Sequence, residues 1–169
     1  ARMREAGEAP LYIARRLIRF ATEDIGLADN NALTLAVSVY QACHFLGMPE
    51  CNIHLTHAVV YLSLAPRSNS VYMAYEHAKK DALNMLSEPV PLVIRNAPTG
   101  LMKELDYGKG YVYAHDTKEK LARMECLPES LKGTRYYIPG EAGEEKKQAE
   151  RLKKVQRFWE DGESPVDAG

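Results

Sequence analysis

From Pro10 to Asn31 the apolar residues Leu11, Ala14, Ile18, Ala21 and Ile25 recur at helical spacing, and Ile13, Leu17 and Phe20 form a second row beside them. A stripe that wide predicts a central helix packed on most of its circumference. Arg15, Arg16, Arg19 and Glu23 are left over as a narrow polar ridge, with Arg19 able to pair with Glu23 four residues on. Pro10 suits the first turn of such a helix, and Gly26 a left-handed end.

The pattern then repeats. Asp29, Asn30 and Asn31 offer capping oxygens to a helix whose Leu33, Ala36, Val37, Tyr40 and His44 share a face, and Gly47 and Pro49 close it. Another helix is expected from about Glu50 to Ala65, stopping before Pro66. Ile53, Val60 and Leu64 mark one of its faces and Leu55, Val59 and Leu62 another, so it reads as a second largely buried rod. Ser68 or Asn69 caps a fourth, carrying Val71, Ala74, Tyr75, Ala78, Ala82 and Met85, with Glu76, Lys79, Lys80 and Asp81 turned outward. Short links predict antiparallel neighbours.

At Ser87 the character changes, because Pro89, Pro91 and Pro98 forbid helix and VPLVIRNAP must run extended over the bundle. Thr99 can cap a short helix to about Leu105. Between Tyr107 and Tyr137 lie five of the ten tyrosines, interleaved with Lys109, Arg123, Lys132 and Arg135. This stretch is too apolar for disorder and is expected to wrap the bundle or a second copy of it. From Gly143 a final amphipathic helix shows Ala149, Leu152, Val155 and Trp159 on one face, and residues 161–169 read as a frayed tail.

Composition narrows the function. The chain has 169 residues, 46% hydrophobic and 27% charged, which suits a single domain with its own core, and no apolar run is long enough for a membrane span. Three cysteines make no disulfide framework, so a reducing compartment is expected. A net charge of -1 removes the argument for nucleic-acid binding by bulk positive charge, leaving only local contacts. The opening ARMREAG reads as the last turn of a helix ending at Gly7, which suggests a piece of a longer protein.

Candidate chemistry is sparse. Gly108-Lys109-Gly110 lacks the Walker pattern, since position 103 is lysine and position 110 is glycine, so a turn with left-handed glycines is the preferred reading. Cys51, His54 and His57, with Cys43 and His44 in the preceding helix, match no zinc spacing, and Cys51 and His57 point about 120° apart. They are read as interface filling. Nothing resembles a nucleophile elbow, so no catalytic, cofactor or metal residue is expected. Arg15, Arg16 and Arg19 are read as partners of carboxylates such as Glu23 and Asp24. Arg95, Lys103, Lys109 and Arg135 could contact phosphates, with Tyr107, Tyr111 and Tyr113 on bases. The favoured use of the aromatic residues Tyr107, Tyr111, Tyr113, Tyr136, Tyr137 and Trp159 is an oligomer interface.

The runs PLYIARRLIRFATEDIGLAD, NALTLAVSVYQACHFLGMPE, AVVYLSLAPRSNSVYMAY, VPLVIRNAPTGLMKELDYGKGYVYAHD and LPESLKGTRYY resemble, in order and spacing, one known family. It is the C-terminal region of the replication-associated recombination protein A family, whose eukaryotic members are the Werner helicase-interacting proteins. The resemblance covers nearly all of residues 3–138. It implies an all-α helical bundle, similar to a clamp-loader collar, with a long wrapping loop region and a C-terminal amphipathic helix. The implied division is 1–9 as the end of a linker, 10–138 as a helical oligomerisation domain, 139–160 as the amphipathic helix and 161–169 as a flexible tail. It also implies an AAA+ ATPase acting at stalled replication forks, with ATP and Mg bound in an N-terminal portion outside this chain. The fragment itself would be no enzyme and would hold a homotetramer together on DNA. Replication proteins such as single-strand-binding protein are possible partners, no membrane is involved, and the location is cytoplasmic, at the nucleoid in a bacterium. The alternative is a nucleic-acid-binding module built on the Lys, Arg and Tyr residues of 95–137. Three positions depart from the family pattern: Asn30 stands where proline is usual, Gly100 where a basic residue is, and Asp106 where glycine is. The last two lower the positive charge available for DNA.

Overall fold

The computed structural model describes residues 1–85 and 88–160, so the expected break at Ser87 and the tail at 161–169 lie outside the described residues. All regular structure within them is helical, as expected. The helices are α1 (Arg2–Glu5), α2 (Pro10–Phe20), α3 (Asn31–Leu46), α4 (Cys51–Leu64), α5 (Ser70–Asn84), α6 (Gly100–Glu104) and α7 (Glu145–Glu160). None is long and apolar enough to cross a membrane. The chain forms two compact units, one of residues 1–79 with 136–150 and the other of residues 80–135 with those from Arg151 onward.

In the first unit α2, α3 and α4 pack against one another. The α1 end is a Schellman motif, with Gly7 at φ +86°, its N–H donating to the Arg4 carbonyl at 2.9 Å and the Glu8 N–H donating to Met3 at 3.0 Å. The α2 stripe is real but narrower than expected. Ala14 is buried and Leu11, Ile13, Leu17, Ile18 and Phe20 are half-covered, whereas Tyr12, Arg15, Arg16 and Arg19 stand in water. The predicted Arg19–Glu23 pair forms, with Arg19 Nε and Nη2 donating to Glu23 Oε1 at 3.0 and 2.9 Å. Arg16 instead lies near Tyr12, its Nη1 donating to the phenol at 3.4 Å.

Past Phe20 the helix widens into a π turn over Ala21–Ile25 before Gly26 at φ +52°. The glycine is required there twice over. Its φ is positive, and a Cβ would meet the Ser68 carbonyl oxygen at 2.9 Å. Asp29, just ahead of α3, accepts at Oδ1 from the Asn31 N–H at 2.9 Å and at Oδ2 from the Tyr61 hydroxyl at 2.7 Å. Asn30 instead donates from Nδ2 to Glu144 at 2.8 Å.

The second unit is mostly irregular. Thr99 caps α6 as expected, Oγ1 accepting from the Met102 N–H at 3.3 Å. The proline-rich stretch is extended except for a 3-10 turn at Leu92–Ile94, whose Leu92 carbonyl accepts from the Gly108 N–H at 2.8 Å. Elsewhere in this unit Arg123 Nε donates to the Phe158 carbonyl at 2.6 Å, and its guanidinium lies 4.4 Å from the Phe158 ring centre. Phe158 is therefore the covered aromatic of α7, and the expected Trp159 is the exposed one.

Candidate assembly surface

The core that α2, α3 and α4 enclose is built largely from small residues. Ala14, Ala21, Ala28, Ala32, Ala36 and Ala58 are buried, alongside Val39, Cys43, Cys51, Leu55, Leu62 and Ile25. Alanines let helix axes approach closely but bury little area each, so the large apolar side chains have gone elsewhere.

They have gone outward. On α4 the buried residues Cys51, Leu55, Ala58 and Leu62 follow a 4-3-4 spacing, and so do Ile53, His57, Val60 and Leu64, all exposed, about 200° round the helix. Ile53 and Leu64 are 75% and 82% exposed. The 4-3-4 spacing is that of a helix seam, in which residues 3.5 apart on average interlock with a neighbouring helix. This helix therefore has two seams, and within one chain only one is covered. The expected largely buried rod is corrected to a rod buried on one side.

A similar correction applies to α3. Its buried row is Ala32, Ala36, Val39 and Cys43, while Leu33, Val37 and His44 of the expected face are exposed and Tyr40 is half-covered. Phe45, at 80% exposure, with Leu46 and Met48, continues this surface into the turn before α4. On α5 no residue is buried, and the expected core positions Val71, Tyr75 and Ala82 are open to water.

The aromatic residues expected at an interface differ in exposure. Tyr111 and Tyr113 are each 54% exposed, and Trp159 is also open, whereas Tyr107, Tyr136 and Tyr137 are half-buried. Of the four candidate phosphate contacts, Arg95 stacks on Tyr107 at 5.1 Å and donates from Nε to the Val90 carbonyl at 2.5 Å. Lys109 Nζ lies 3.0 Å from Asp106, and Arg135 Nη2 lies 3.4 Å from Glu160. Lys103 is exposed in the last turn of α6. The Gly-Lys-Gly stretch is the expected turn, with Gly108 and Gly110 at φ +72° and +80°.

Asp106 shares that turn at φ +62°, a left-handed conformation that suits glycine. Left-handed strain of about 1–2 kcal/mol outweighs the entropy cost of a glycine, about 0.5–1 kcal/mol, and the exposed Lys109 pair adds little. Asp106→Gly is therefore expected to raise stability by about 0.5–1 kcal/mol, read from the urea midpoint.

Among the described residues no three His, Cys, Asp or Glu side chains converge as metal ligands would. Cys51 is buried beside Cys43, whose thiol is pushed up to about 11 by burial and by its neighbour, and His57 faces away from both on the outer seam. Sequence reasoning missed Glu145, the buried acidic side chain of the first unit. Its Oε1 accepts from the Tyr137 hydroxyl at 2.8 Å and from the Ser70 hydroxyl, to which Ser68 donates in turn at 3.1 Å. Burial pushes the Tyr137 phenol up to about 12, and its bond to Glu145 adds to this. The signal was present: Glu145 stands four residues before Ala149 on the apolar side of α7.

The family model described as "MgsA AAA+ ATPase C terminal" matches residues 1–156. The chain is similar to a replication-associated recombination protein A of Coxiella burnetii, 44% identical over 99% of this chain and 38% of that protein. It is 42% identical to the protein of that name in Escherichia coli K12, over 90% of this chain and 34% of that one. Similarity extends to the ATPase WRNIP1 of Dictyostelium discoideum, at 46% over 80% of this chain and 16% of that protein. The chain thus spans well under half the length of the curated relatives it matches.

Proposed function

Because the chain belongs to the family described as the MgsA AAA+ ATPase C-terminal region, we propose that it is the assembly module of an ATPase serving replication-associated recombination. In this reading it joins copies of itself, as a homotetramer, and so holds ATPase modules at high effective concentration on one DNA substrate. ATP and Mg belong to the part of the protein outside this chain, and the fork substrate is engaged by the assembly.

The observation that carries the reading is the outward seam of α4. Ile53, Val60 and Leu64 on that seam stand in water, as do Phe45, Leu46 and Met48 at the end of α3 and in the turn that follows. An apolar seam at 4-3-4 spacing left in water is the kind of surface that marks an interaction site. Two-sided helices are what a protomer in a dihedral tetramer needs, one side for its own core and one for a neighbour. The apolar turn and α4 seam add to Tyr107, Tyr111, Tyr113, Tyr136, Tyr137 and Trp159 as interface candidates. The rival reading, nucleic-acid binding, has less support, since Arg95, Lys109 and Arg135 are each engaged with groups of the chain itself.

Light scattering over a hundredfold concentration range tests the proposal. A constant mass near four times 19.0 kDa is expected. A mass of one chain throughout, with salt-sensitive retention of single-stranded DNA, would hand the function to the rival.

A further inference from the structure

The chain as a whole is almost neutral, with a net charge of -1, yet α7 concentrates charge of one sign. It carries Lys146, Lys147, Arg151, Lys153, Lys154 and Arg157, and all six are exposed. At about 100° per residue they fall within about 160° of the helix circumference, along about 17 Å of its length. Glu150 is the one acid inside that arc. Of the other two acids of α7, Glu145 is buried on the far side and Glu160 is paired with Arg135. Among the described residues none of the six cations is in an ion pair. Lys147, Arg151 and Lys154 follow one another at intervals of four and three, as Lys153 and Arg157 do at four. Like charges at those spacings repel and work against the helix, and a polyanion laid along the face relieves that repulsion.

The rest of the helix says which polyanion fits. A basic amphipathic helix that lies in a lipid surface inserts its apolar side, but Ala149, Leu152, Val155 and Phe158 are already half-covered within the chain. An acidic protein partner would need an apolar or aromatic anchor, and the basic arc exposes none. Phosphates need only cations at close intervals, and a DNA duplex offers one charge per about 1.7 Å of its axis. We propose that this face of α7 is a sequence-independent contact for the phosphate backbone of DNA, one face for each copy in the assembly. The inference rests on the DNA-bound assembly proposed for the chain, and it places the contacts on α7 rather than on residues 95–137. Several copies would present several such faces, so that contacts weak singly hold by avidity.

Fluorescence anisotropy of a labelled DNA duplex of mixed sequence tests this on the whole 169-residue chain. Saturable binding is expected at low salt, weakening about a thousandfold between about 50 and 200 mM. Each lost phosphate contact lowers the slope of log affinity against log salt by about 0.9, so Lys147→Gln, Arg151→Gln and Lys154→Gln together should lower it by at least about 2.7. These positions are exposed, so the helical circular dichroism should not change. Lys147→Arg with Lys154→Arg should bind as the native chain does, and so should Lys103→Gln with Lys109→Gln. An unchanged slope in the triple variant, loss of binding in the Lys103 and Lys109 pair instead, or no binding at low salt would overturn the proposal. So would a glutamate peptide that displaces the duplex charge for charge, which would give the face to an acidic protein. Light scattering on the same samples separates this inference from the assembly it rests on. The mass of one chain with binding that depends on α7 would sink the assembly and leave the phosphate contact standing, and a fourfold mass without binding would do the opposite.

Discussion

Replacing Ile53 and Leu64 together by glutamate is expected to reduce the molar mass of the proposed assembly to that of one 19.0 kDa chain without unfolding it. Both residues are largely exposed in the isolated chain and belong to neither buried cluster, so the fold loses little when they become polar. In an assembled state each would contribute about 1.5–3 kcal/mol of apolar burial per copy. The glutamates would also place unpaired carboxylates in the seam, which is costlier still. Together these effects exceed about 4 kcal/mol, a thousandfold or more in the dissociation constant. Light scattering at micromolar concentration reads the mass, and circular dichroism with urea denaturation reads the fold. An unchanged fourfold mass would move the interface away from α4, toward the tyrosines of 107–137.

That expectation rests on the part of the pattern hardest to read from sequence. The extents of α3 and α4 were legible because Gly47, Pro49 and Pro66 punctuate them. Their inner faces were not. A helix apolar all round has no polar side to mark its outside, so periodicity alone cannot say whether Leu33 and Val37 or Ala32 and Ala36 face the core. Size decides it: alanines permit close axis approach, and the structure places them inside. The seam at Ile53, Val60 and Leu64 was visible as a face, but its exposure needed coordinates.

Capping was read more surely, because it depends on local chemistry. The Thr99 cap, the Gly7 end of α1 and the Arg19–Glu23 pair all occur where residue type and spacing placed them. The π turn at Ala21–Ile25 has no such signature, and periodicity alone predicts continuous helix there. It lets the chain turn where Gly26 meets the backbone of Ser68, whose N–H donates to the Asp24 carbonyl at 3.0 Å. A contact between segments more than forty residues apart leaves no trace in local periodicity.

Glu145 shows the same limit in a charged residue, and its removal is expected to have the largest effect on the fold of the single chain. The carboxylate is fully buried at the start of α7 and joins Ser68 and Ser70 at the start of α5 to Tyr137 in the extended segment before α7. Its Oε2 lies against Gly140, where an added Cβ would come within 2.8 Å of it. Glu145→Ala would strand the Ser70 and Tyr137 hydroxyls in a buried space, and a cost of about 3 kcal/mol is expected from the urea midpoint. Gly140→Ala should destabilise too, by forcing the carboxylate off its partners. Burial by itself would raise the Glu145 carboxyl, but its hydrogen bonds with the neighbouring hydroxyls prevail and hold it below the ordinary value. A carboxyl lowered in the folded state binds its proton less readily there than in the unfolded chain. Its contribution is therefore fully present above the unfolded value of about 4.3 and fades as pH falls through the lower folded one. The native chain should lose stability below about pH 4.3, and Glu145→Gln should lose less over the same interval because it has no proton to gain. Parallel urea titrations of the two chains between pH 6 and pH 3 measure that difference. Identical slopes would mean that Glu145 titrates alike in both states and that its hydroxyl partners hold it by shape rather than by charge.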